Sequence, residues 1–144
     1  GYVLAPLDYS SSFQAVECTQ PLNEQVYDLQ CEIIRKLAAK GSCVMVGRCA
    51  DYVLKDQTEC LNVFIYAEKE DRIKRIAQRY DLSERKAADK IKRIDRERKS
   101  YYEFHTGSDW GSIGAHQMLL NVSKLGVEGT VDVLEAICRR KMKE

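Results

Sequence analysis

Three short apolar runs constrain this chain more than any other feature. They are Cys43-Val44-Met45-Val46-Gly47, Leu61-Asn62-Val63-Phe64-Ile65-Tyr66 and Gln117-Met118-Leu119-Leu120-Asn121-Val122. Each is too short for a helix, and none alternates strictly between apolar and polar residues. Such runs fit strands covered on both faces, as in parallel sheets. The segments between them read as helices. Pro21 stands where helices favour starting, and Val26, Leu29, Ile33 and Leu37 recur at helical spacing before Gly41. A charged stretch from about Glu68 to Gln78 turns Ile73, Ile76 and Ala77 inward. Ser83 is suited to cap a long helix over about Glu84 to Tyr102. A last helix carries Val127, Val131, Leu134 and Ile137 on one face. This alternation predicts an α/β fold, with parallel strands in the middle and helices packed on the sheet.

The chain has 144 residues, about one domain's worth, with no internal repeat and no linker. Residues 1–20 read as an irregular lead-in. No apolar run approaches the ~18–20 residues of a membrane-spanning helix, and no basic stretch followed by an apolar one opens the chain. Neither membrane insertion nor secretion is indicated, and a cytoplasmic protein is expected. The six cysteines form no C-x-x-C pair and no cluster with His105 or His116 at zinc spacing, so free thiols are expected and a metal site is not. Lys and Arg total 23 against 22 Asp and Glu, so net charge gives no pull on nucleic acid.

The charge is unevenly spread, however, and residues 68–104 form a cationic segment. In open parallel sheets ligands bind beyond the carboxyl ends of the strands. Gly47-Arg48 follows the first run: glycine permits close backbone approach, and the guanidinium fork suits phosphate or carboxylate. Asn121 to Gly126 follows the third, with Ser123 placed to cap a helix. Arg72, Arg75 and Arg79 share a helical face, and Asp95 and Arg98, three apart, point the same way on the next helix. Phosphoryl transfer needs this equipment, since its catalysis is mostly positioning and charge neutralisation. The competing reading is a solvated helical face stitched by surface ion pairs. Tyr101, Tyr102 and Trp110 are candidates either for stacking a base or for packing.

The series from Val44 through Gly47-Arg48-Cys49-Ala50-Asp51 to Leu54, then Val63 to Ala67 with Asp71 to Ile76, resembles the cytidylate kinase-like family of nucleoside monophosphate kinases. Ile94-Asp95-Arg96-Glu97-Arg98-Lys99-Ser100-Tyr101-Tyr102 and Thr106-Gly107-Ser108-Asp109-Trp110-Gly111 add to it, in order, between about Pro21 and Ile137. The resemblance implies a three-layer P-loop kinase-like fold, a parallel sheet with helices on both faces and a helical lid over 68–104. It also implies transfer of the terminal phosphoryl group of ATP, with Mg2+, to CMP or dCMP. Carried over, Gly47, Arg48 and Asp51 fall in the acceptor-binding group. Arg72, Arg75, Asp95 and Arg98 fall in the catalytic lid, and Asn121, Ser123 and Leu125 beside the ATP base.

Two departures qualify it. Cys49 stands where better-known cytidylate kinases place an Asp, which leaves the identity of the acceptor open. The chain also lacks G-x-x-x-x-G-K-[ST], the loop that wraps ATP phosphates, and residues 1–20 do not resemble the family's start. The expectation is therefore a fragment, an incomplete version of the fold that a second copy would complete, or a kinase-like module that binds nucleotide without turnover.

Overall fold

The computed structural model describes residues 21–57 and 59–141, so the lead-in expected over residues 1–20 lies outside the described residues. In chain order the elements are α1 (Leu22–Lys40), α2 (Ala50–Val53), β1 (Val63–Tyr66), α3 (Lys69–Tyr80), α4 (Glu84–Thr106), β2 (Met118–Asn121) and α5 (Val122–Lys141). A short 3-10 turn, Ile113–Ala115, precedes β2. The predicted helices are all present, and α2 and the 3-10 turn are additions. Among the described residues no helix is long and apolar enough to cross a membrane.

β1 and β2 pair in parallel, Val63 opposite Met118 and Tyr66 opposite Asn121. A parallel pair needs a long crossover, and α3 and α4 fill it. Gln117 stitches the start of the pair: its backbone N–H donates to the Asn62 carbonyl at 3.0 Å. Its side-chain Oε1 accepts from the Asn62 N–H at 2.7 Å.

The run Cys43–Gly47 departs from expectation, because it forms no strand. Val44 is 93% exposed and Val46 88%. A strand exists only where its N–H and C=O groups find a ladder, and among the described residues this run has none. The sheet described is therefore two-stranded, the incomplete version of the expected architecture. The apolar stripe of α1 departs in the same way: Val26, Leu29, Ile33 and Leu37 are all exposed. The helix instead buries Cys31 and Ile34, and Ile34 packs with Ala50 and Leu54 of the α2 segment.

α3 and α4 are joined by Asp81, Leu82 and Ser83, a connection short enough to force an antiparallel hairpin. Asp81 closes α3 in a left-handed conformation, with φ at 50°. The Ser83 hydroxyl accepts from the Lys86 N–H at 3.4 Å, the cap expected from sequence. Ala87 and Ile91 of α4 are buried. α5 is broken at Gly126, whose φ of 70° and ψ of 174° are not helical. The Gly126 carbonyl accepts from the buried Thr130 hydroxyl at 2.6 Å.

Candidate functional site

The segment after the Cys43–Gly47 run makes an unusual turn. Gly47, Arg48 and Cys49 all have positive φ, at 71°, 57° and 54°. Glycine adopts this conformation freely, whereas left-handed backbone costs other residues roughly 1–2 kcal/mol each. Hydrogen bonds from the adjoining α2 segment hold the turn. The Ala50 N–H donates to the Gly47 carbonyl at 3.2 Å and the Val53 N–H to the Cys49 carbonyl at 2.9 Å. Cys49 and Ala50 are buried. Burial, with smaller contributions from Asp51 and Cys31, pushes the Cys49 thiol up to about 11. Arg48 is left exposed at the tip, close enough to the Tyr101 hydroxyl to oppose part of the rise that burial gives it. Apart from its chain neighbours, no atom lies within 4 Å of where a Gly47 Cβ would stand, so the space at Gly47 is open.

Asp51 faces inward. The Tyr102 hydroxyl donates to its Oδ2 at 2.6 Å, and His116 Nε2 stands 4.0 Å from the same oxygen. His116 Nδ1 is 3.0 Å from the Ser112 carbonyl; a carbonyl only accepts, so Nδ1 carries the proton. The His116 side chain is 8% exposed, with the Phe64 ring edge-on to it and to Trp110. Burial, then the bond to Asp51, hold the Tyr102 hydroxyl well above its usual range. Sequence reasoning placed Asp51 among candidate site residues but missed Tyr102 and His116 as its partners. Residues 51, 102 and 116 are too far apart in sequence for any spacing rule to join them.

On the hairpin, Arg72 and Asp95 form a bidentate pair. Nη2 meets Oδ1 and Nη1 meets Oδ2, each at 2.8 Å. The other two predicted residues flank this clasp. Arg75 lies one turn from Arg72 toward the hairpin bend, and Arg98 one turn from Asp95 away from it. At 1.5 Å rise per residue their positions differ by roughly 9 Å along the hairpin. Both side chains are exposed. Arg93 and Lys99 form pairs within α4, with Glu97 and Glu103, as the competing surface reading expects.

At the carboxyl ends of β1 and β2 a second set of predicted residues converges. The Ser123 hydroxyl accepts from the Glu68 N–H at 2.9 Å, and the Asn121 amide donates to Glu68 Oε1 at 2.9 Å. Asn121 Oδ1 accepts from the Ser123 N–H at 3.0 Å. These bonds tie the two strand ends together, so Ser123 braces β1 instead of capping α5. Leu125 is exposed beside the Gly126 break.

A cleft of about 560 Å³ opens elsewhere, between α1, the α2 segment and the end of α4, with Tyr27, Arg35, Tyr52 and His105 in its walls. It contains none of the predicted site residues. Among the described residues no group of three or more His, Cys, Asp or Glu side chains is placed to hold a metal. The described residues therefore do not build a magnesium site of their own.

Comparison with known proteins bears directly on this arrangement. The model of the cytidylate kinase-like family matches residues 3–124. The match takes in most of the first twenty residues, which sequence reading left outside the resemblance. A curated cytidylate kinase from Staphylothermus marinus is 27% identical over 108 residues, covering 74% of this chain and 60% of the relative's length. The crystal structure of an uncharacterized protein from Eubacterium ventriosum superposes with a TM-score of 0.78 at 29% identity. That match covers 83% of this chain and 68% of the other. With the greater part of its length matched, the chain belongs to the cytidylate kinase-like family.

Proposed function

We propose that the full-length protein transfers the terminal phosphoryl group of ATP to a pyrimidine nucleoside monophosphate, CMP or dCMP, and that this chain supplies the acceptor and lid residues. The observation that carries the reading is the strained Gly47–Cys49 turn, which leaves Arg48 exposed directly before the buried Cys49 and Ala50. Strain of this kind persists where the surrounding structure over-determines it, and it concentrates at ligand clamps.

In this reading Arg48 grips the phosphate of the acceptor. Asp95 neutralises Arg72 and fixes the hairpin, leaving Arg75 and Arg98 free to approach the transferred group from either side of the clasp. Neutralising charge that develops on that group is the largest contribution a protein makes to phosphoryl transfer. Closure of the hairpin would exclude water and suppress hydrolysis of the donor. The Glu68–Asn121–Ser123 set holds the loop beside the donor base, with Leu125 offering an apolar surface to it. ATP brings its magnesium as substrate. The five described cysteines are free thiols, in keeping with a reducing cytoplasm.

A coupled assay of the full-length protein with CMP, dCMP, UMP and AMP tests the proposal. Turnover with CMP or dCMP, lost at least 100-fold in Arg48→Met, is the expected result. Tight CMP binding without turnover would replace the reading with that of a nucleotide-binding module. Indifference of turnover to Arg48→Met would remove the proposed role of the turn.

A further inference from the structure

Asp51 stands three residues beyond Arg48, where an acceptor-binding role was expected for it, yet its carboxylate is already engaged. Tyr102 reaches it from α4, and His116 approaches the same oxygen from the segment entering β2. Three separate stretches of chain thus meet at Asp51 Oδ2. The first is the α2 turn that carries Arg48. The second is the helix that carries Asp95 and Arg98. The third is the lead-in to the strand that ends at Asn121. Tyr102 is 7% exposed and the Asp51 side chain 19%, so water competes weakly for the bond between them.

We infer that Asp51, Tyr102 and His116 form a positioning junction. It holds the left-handed Gly47–Cys49 turn against the lid helix, so that Arg48 meets the acceptor phosphate in one orientation; Asp51 itself does not contact substrate. The inference rests on the proposed kinase reading for its consequence and on geometry for its existence. Two non-glycine residues with positive φ relax unless something anchors the chain beside them. The α2 helix is only four residues long, too short to hold itself. Its hydrogen bonds to the turn fix local shape, whereas the bond to Tyr102 ties that shape to α4. His116 completes the junction. Its Nδ1 proton, donated to the Ser112 carbonyl, fixes the ring so that it packs beside the Asp51 carboxylate, with Nε2 4.0 Å from Oδ2. The groups around that imidazole are Asp51, the Ser112 carbonyl and the Phe64 ring.

The test uses the full-length protein with Tyr102→Phe, which removes one oxygen, and His116→Gln as a second variant. Two readouts are taken: kinetics, with acceptor and ATP varied separately, and hydrogen exchange over residues 47–54. The junction predicts a rise of about tenfold in KM for the acceptor, little change in KM for ATP, and at least tenfold faster exchange over that segment. A packing role alone would move both KM values together. If the wild type phosphorylates no nucleoside monophosphate but exchange still quickens, the kinase reading fails and the junction stands. If neither variant changes acceptor KM or exchange, the junction is overturned. Should Tyr102→Phe fail to fold, His116→Gln decides on the same two readouts.

Discussion

Breaking the Arg72–Asp95 clasp should cost the hairpin about 2 kcal/mol, a figure set by its geometry and exposure. Both oxygens of Asp95 accept from separate guanidinium nitrogens at 2.8 Å, so the pair is bidentate and charge-assisted. Exposed ion pairs contribute roughly 0–1 kcal/mol, and leaving one partner of a fully buried pair unmatched costs about 3–5. Here the side chains are 34% and 26% exposed, between those limits, and Arg72 is open enough that solvent screening lowers the upper one. A double-mutant cycle isolates the pair: Arg72→Met keeps the aliphatic stem, and Asp95→Asn keeps the shape. For a urea slope of about 2 kcal/mol/M, typical of a small domain, each single variant moves the unfolding midpoint down by roughly 1 M. The coupling should be about 1.5–2 kcal/mol and largely survive 1 M salt, whereas Arg75→Met, lying outside the clasp, should stay within about 0.5 kcal/mol of the wild type. A coupling below about 0.5 kcal/mol, or an Arg75→Met effect as large as that of Arg72→Met, would show that the clasp does not organise the hairpin.

Further outcomes are expected at Gly111, Cys49 and His105. A Cβ at Gly111 would stand 2.9 Å from the Phe64 ring, at a φ of +77°. Gly111→Ala should therefore destabilise by about 2–4 kcal/mol, against roughly 1–2 for Gly107→Ala, where φ is also positive but the space is open; equal losses by denaturant melts would refute the contact. Cys49, buried and held at about 11, should alkylate far more slowly at pH 8 than the exposed Cys43 and Cys138, which peptide mapping would show. Because the folded thiol titrates above its ordinary 9.0, its stabilising share is intact below pH 9 and fades toward pH 11; a Cys49→Ala variant should lose that slope. His105, stacked on Tyr27 at 3.7 Å, has its pKa lowered by burial. The unfolded chain then binds the proton more readily, so stability present above about pH 6.5 falls on acidification; His105→Phe should flatten that fall in melts between pH 7 and 5.

Local signals carried the parts of this molecule that local physics determines. The helices were legible because periodicity, Pro21 and Ser83 each act within a turn or two. β1 and β2 were legible because continuous apolar runs have few other uses. What was not legible depends on partners distant in sequence. Cys43–Gly47 has the composition of a strand, yet composition does not supply a ladder. Val26, Leu29, Ile33 and Leu37 have the spacing of a buried stripe, but α1 turns Cys31 and Ile34 inward instead. At the site, Arg72 and Asp95 both stand out in the sequence, while their pairing requires the hairpin to fold back. Asn121 and Ser123 have the chemistry of groups facing a ligand, and the structure also gives them partners within the chain.

The same contrast bears on what the arginines are for. A guanidinium bound to a carboxylate contributes little net field, so counting basic residues in the 68–104 segment overstates its attraction for phosphate. Arg72, Arg93 and Lys99 are matched by Asp95, Glu97 and Glu103, whereas Arg48 stands exposed on a strained turn with the uncharged Tyr101 hydroxyl beside it, and Arg75 and Arg98 flank the one clasp that crosses the hairpin among the described residues. A solvated surface needs no such division of labour, because surface pairs form equally well within a single helix. A phosphate-gripping lid does need it: some charges must fix the frame while others stay uncommitted for the ligand. On the proposed kinase reading, Arg72→Met should lower stability and catalysis together, whereas Arg98→Met should lower catalysis with the fold intact.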